Sequence, residues 1–109
     1  MAFDLTLFDP CVRDHSDDWD ALGLEWSISS IHDSHAKASV SATFETVDWL
    51  VQLTTWDSGE TDMDAIPKGE GREVHTQNVL HSADDLHSTI YEILRLIRDG
   101  RPPSYGYAP

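Results

Sequence analysis

Four carboxylates, Asp57, Glu60, Asp62 and Asp64, fall within eight residues of the stretch Thr54-Thr55-Trp56-Asp57-Ser58-Gly59-Glu60-Thr61-Asp62-Met63-Asp64, and no Lys or Arg interrupts them. Acids at this density can hold a cation, share a proton in acid–base catalysis, or display charge to a partner. An EF-hand calcium loop needs Gly at its sixth position and Glu at its twelfth. Counted from Asp57, the Gly is third and the twelfth residue is Lys68, so that chemistry is excluded. Paired-carboxylate hydrolysis needs two acids converging on one pocket, whereas acids alternating along a hairpin point into solvent. Display of charge is what remains.

The other reactive side chains fare no better. His32 and His35 could ligate zinc with His75, His81 or Cys11, but no Cys pair and no His-Glu helix motif supports such a set. Cys11 sits among acids, which disfavour a thiolate, so its role is packing. There is no Gly-Xaa-Ser-Xaa-Gly elbow and no phosphate-binding glycine loop. The expectation is a protein that is not an enzyme, with no catalytic, cofactor-binding or metal-ligating residue.

The composition agrees with a binding role. Twenty Asp and Glu against seven Lys and Arg give a formal net charge of -13 over 109 residues. Such a field repels nucleic acid and anionic membrane surfaces and speeds encounter with a basic partner. Between residues 14 and 67 the acids Asp14, Asp17, Asp18, Asp20, Glu25, Asp33, Glu45, Asp48, Asp57, Glu60, Asp62 and Asp64 face the single base Lys37. A hydrophobic fraction of 39% with four Trp is enough for one folded core. The single cysteine fits a reducing compartment, and no signal peptide or membrane-length apolar run is visible. A cytoplasmic protein of one domain, residues 1–100, with a Pro- and Tyr-containing tail at 101–109, is expected.

Elements that would position these residues follow from periodicity. Asp9-Pro10 reads as a cap and first helical position, with Cys11, His15, Trp19 and Leu22 at helical spacing and Gly23 as the stop. Leu24, Trp26 and Ile28 alternate with Glu25, Ser27 and Ser29 as a strand, and His32-Asp33-Ser34-His35 reads as a turn. Ala36 to Phe44 alternates most clearly of all. Trp49, Val51, Leu53 and Thr55 define one face of a third strand and Leu50, Gln52, Thr54 and Trp56 the other. Asp57-Ser58-Gly59 is hairpin chemistry, residues 60–66 return as a fourth strand, and Glu73 to Leu80 makes a weaker fifth. Ser82-Ala83-Asp84-Asp85 caps a last helix whose Leu86, Ile90, Ile93 and Ile97 share a face, ending at Gly100 before Pro102-Pro103.

Helix, strands, helix in that order predicts an α+β fold: an antiparallel sheet of four to five meandering strands with both helices packed on one face. The other face would carry Gln52, Thr54 and Trp56 beside Ser39, Ser41 and Thr43, a composition typical of interfaces. The predicted partner-binding residues are Gln52, Thr54, Trp56, Asp57, Glu60, Asp62 and Asp64.

Leu22-Gly23-Leu24-Glu25-Trp26-Ser27-Ile28, then Leu50-Val51-Gln52-Leu53-Thr54-Thr55-Trp56-Asp57-Ser58-Gly59-Glu60, then Ala83-Asp84-Asp85-Leu86 resemble the TriTu family of bacterial immunity proteins. The resemblance covers most of residues 9–99, and its most specific part is the Trp-Asp-Ser-Gly-Glu hairpin. It implies a cytoplasmic antitoxin that binds, one to one, the basic active-site region of an ADP-ribosyltransferase domain from an Rhs-type or other polymorphic toxin, and blocks it sterically. In that family the toxin modifies elongation factor Tu. The Pro102-Pro103 tail and the Ile66 to Gly71 loop depart from the family pattern. A small acidic chaperone or adaptor for a secreted protein is the alternative from a different class.

Overall fold

The computed structural model describes residues 3–33 and 37–99. A 3-10 turn (Leu5–Leu7) leads into helix α1 (Phe8–Arg13) and helix α2 (Ser16–Ala21). Strands β1 (Glu25–Ile28), β2 (His32–Asp33), β3 (Ala38–Glu45), β4 (Trp49–Trp56), β5 (Glu60–Pro67) and β6 (Val74–Val79) follow, and helix α3 (Ala83–Asp99) is the last element among the described residues. The strands form one antiparallel sheet in the order β1-β3-β4-β5-β6, with β2 also paired to β3. The α+β meander expected from the sequence is therefore present.

Strand alternation decides which face is dry. Val40, Ala42 and Phe44 of β3, Val51, Leu53 and Thr55 of β4, Thr61, Met63 and Ala65 of β5, and Val74 and Thr76 of β6 are buried on one side. They join the same core as Leu86, Ile90, Ile93 and Leu96 of α3 and as Phe8, Val12 and Trp19 from the N-terminal helices. Trp19 packs on Phe44 with ring centroids 4.4 Å apart. Two of the hydroxyls on this face bond each other: Thr55 Oγ1 and Thr61 Oγ1 lie 3.1 Å apart, and Thr61 donates to the Gly59 carbonyl.

Two local expectations need correction. The first helix is two helices, because the backbone breaks at Asp14 and His15 and the chain is already turning before Asp9, with Asp4 accepting from the Thr6 N–H. At the break, the Val12 carbonyl accepts from the His15 N–H and from the Trp19 indole N–H at 3.0 Å. The indole thus replaces the helical donor that the break removes. Gly23, at φ 68°, ends α2 as expected. His32-Asp33 is not a turn but a two-residue strand on β3. Ile28 stands opposite Ala42 and His32 opposite Ser39, so the edge inserts one extra residue, a bulge. The bulge turns His32 onto the sheet face opposite to that of Ile28.

Pro67 is accommodated inside β5 because its side of the ladder has already lost its neighbour: β6 pairing ends at Val74 opposite Ala65. His35, the Gly100 stop and the 101–109 tail lie outside the described residues. No helix among the described residues is long and apolar enough to cross a membrane.

Candidate partner-binding surface

The register places the open face in rows that cross the sheet. One runs Ser27, Thr43, Gln52, Asp64, His75; the next runs Ser41, Thr54, Asp62, Gln77. Trp56 stands beside Ser39 at the end of β4. Five of the seven residues expected from the sequence, Gln52, Thr54, Trp56, Asp62 and Asp64, therefore share one surface, and Glu60 borders it on the same face of β5. The small Ser and Thr side chains of β3 leave the Trp56 ring half-buried yet accessible.

The acids do different work from one another. Asp57 is a joint: its carboxylate accepts from the Ala38 N–H at 3.3 Å, its N–H donates to the Ala38 carbonyl at 3.0 Å, and its own carbonyl accepts from the Phe3 N–H at 2.6 Å. It ties the hairpin to β3 and to the N-terminus instead of presenting a free charge. Glu60 pairs with Lys37 at 3.0 Å, and the Lys37 ammonium sits 5.7 Å from the centre of the Trp56 ring. The stretch that lacks a base in sequence thus acquires one in space. Asp64 bonds His75 Nδ1 across the β5–β6 ladder. Asp62 has no side-chain partner among the described residues, and it borders a shallow hollow of about 220 Å³ shared with Glu60, Thr61, Gln77, Asn78 and Val79.

Among the described residues no three His, Cys, Asp or Glu side chains converge as a cation-binding set. Cys11 is buried, and its thiol is pushed up from the ordinary value by burial first, then by Asp14 and Asp84. That keeps it protonated and unreactive near neutrality. Asp4 is held below the usual carboxylate range by the Thr6 side chain and N–H, and serves as a cap.

Sequence reasoning missed a histidine pair. His15, 5% exposed, places Nε2 at 2.9 Å from His87 Nδ1, and the Tyr91 ring meets it edge-on at 5.1 Å. The two histidines are 72 residues apart, so only the helix arrangement brings them together. Lys37 was equally hidden, since its proximity to Trp56 follows from the Ser39–Trp56 register and not from spacing along the chain.

The chain matches no protein-family model, no curated protein and no solved structure.

Proposed function

We propose that this chain is a non-catalytic, immunity-type inhibitor that works in the cytoplasm. It seats its open sheet face on the basic active-site region of a cognate polymorphic-toxin domain, of ADP-ribosyltransferase chemistry, in a one-to-one complex. The observation that carries the reading is the half-buried Trp56 set among small polar side chains on a face that also holds Asp62, whose carboxylate has no side-chain partner among the described residues. A flat aromatic anchor supplies contact area at low entropic cost, and the surrounding acids steer a basic partner and exclude others. Basic groups on the toxin that hold NAD phosphates would be complemented by the same acids that repel nucleic acid from this chain. Asp57 supports the surface by fixing the hairpin beneath it.

The test is co-expression with an ADP-ribosyltransferase toxin domain encoded beside this chain. Restored growth together with a stoichiometric complex supports the inhibitor. Unrelieved toxicity, or a stable complex with an exported protein that is not toxic, replaces it with the adaptor reading.

A further inference from the structure

The two lateral edges of the sheet are built differently. The β1–β2 edge is bulged between Ile28 and His32, a device that spoils flat pairing with another strand. The β6 edge runs in unbroken register with β5, from Val74 opposite Ala65 to Val79 opposite Glu60. Its six residues contain no Pro, Lys or Arg, and its inward residues Val74 and Thr76 are uncharged. It lacks the Pro, Lys or Arg, the bulge and the inward charge by which edge strands are commonly guarded.

Its backbone polarity can be read from one hydrogen bond. The Leu80 N–H donates to the Gly59 carbonyl at 2.8 Å. Alternation in an antiparallel ladder then turns the N–H and C=O groups of Asn78, Thr76 and Val74 toward β5, and those of Val79, Gln77 and His75 outward. The Val79 N–H is taken by Asn78 Oδ1 at 2.9 Å. Among the described residues no acceptor meets the His75 and Gln77 N–H groups, so a short length of sheet template is exposed.

We propose that β6 receives an extended, Lys- or Arg-bearing segment of the partner as an added antiparallel or parallel strand, paired through His75 and Gln77. Charge selects this occupant. A strand laid beside β6 lies two strand spacings, about 10 Å, from β5, a gap that a long basic side chain from one side and the carboxylate arms of Asp62 and Glu60 from the other close between them, across the hollow these acids line with Gln77 and Val79. A second copy of this chain would instead set one acidic field of formal charge -13 against another. The inference shares with the proposed function the basic character of the partner and the acid Asp62, and does not depend on the partner being a toxin.

The experiment uses the whole chain and a short blocked peptide alternating Lys with Val and Thr, with amide exchange followed by NMR. The expected result is slowing of His75 and Gln77 amide exchange by about tenfold or more at millimolar peptide. The effect should vanish when alternate peptide amides are N-methylated, and when Glu replaces Lys in the peptide. Gln77→Pro, which removes an outward N–H that no ladder bond uses, should abolish the protection while the remaining amides keep their native pattern. Protection absent with the Lys peptide, equal with the Glu peptide, or appearing with protein concentration in the absence of peptide would each overturn the proposal. Because no toxin enters this assay, failed growth rescue beside intact peptide pairing removes the inhibitor reading and leaves the edge site standing.

Discussion

A Cβ added to Gly59 would lie 2.5 Å from the carbonyl oxygen of Leu80. The same two residues are joined by the Leu80 N–H on the Gly59 carbonyl, so the hairpin tip and the end of β6 lie backbone against backbone, too close for a side chain. Gly59 also has φ 90°, which side chains oppose. Gly59→Ala should therefore destabilise the fold by at least about 2 kcal/mol, strain and clash acting together. Urea unfolding measures it, and a loss under about 0.5 kcal/mol would show that the turn relaxes freely.

Ile93 is fully buried in the core between α3 and the sheet. Ile93→Ala should cost about 2–5 kcal/mol as a large-to-small change with a residual cavity. A shift within about 0.5 kcal/mol in chemical denaturation would mean that α3 does not pack as described.

Asp57 and Asp62 should separate stability from association. Asp57→Ala loses the acceptor of the Ala38 N–H and should lower stability by about 1 kcal/mol. Reversing Asp62 and Asp64 to Lys should slow association with the toxin domain and flatten its salt dependence. Stopped-flow binding across ionic strength decides it: unchanged rate and slope would move the binding surface elsewhere, most plainly to the acids of α2.

Trp56→Ala should act on dissociation. Loss of a central aromatic anchor costs on the order of 2 kcal/mol, carried by the off-rate. The Lys37 ammonium above the ring and the Lys37–Glu60 pair are exposed, so Lys37→Ala should change folding stability by under about 1 kcal/mol. Equal affinity of the Trp56→Ala variant and the parent would remove Trp56 from the interface.

Cys11 gives a pH dependence with a definite sign. Its folded-state pKa is raised, so the contribution of the buried thiol to stability is complete below the ordinary thiol range and is lost as pH rises through the folded value. Alkaline unfolding should therefore be shallower in Cys11→Ala than in the parent, after allowing for its lower stability at neutral pH. Alkylation at neutral pH should be slow in the native protein and fast in urea; rapid native labelling would contradict the burial.

How much of this was legible beforehand depended on whether a residue's environment is repeated along the chain. Val40, Ala42 and Phe44, or Val51, Leu53 and Thr55, report the dry face by period alone, and their opposite phase, Gln52, Thr54 and Trp56, reports the open face with equal clarity. The edge at His32-Asp33 was unreadable for the converse reason. A two-residue strand whose His32 and Asp33 are both exposed has both faces wet and no alternation to detect. The break between α1 and α2 left no mark because Cys11, His15, Trp19 and Leu22 keep one face whether or not the backbone is continuous. Within the candidate surface, proximity in sequence grouped Asp57 with the other acids, and only the contacts of Ala38 and Phe3 distinguish a joint from a displayed charge.

The meander also sets an order of assembly. Each hairpin from β3 to β6 closes over a few residues, so the central sheet can zip together from local contacts with little loop entropy to overcome. The clasp of Phe3 on Asp57 spans half the chain, so closing it costs more loop entropy than any of these hairpins. Interactions made after the folding barrier govern how slowly a protein comes apart. Closing after that barrier, the N-terminal segment would act as a latch on the lifetime of the hairpin's shape, leaving its rate of formation to the strands themselves.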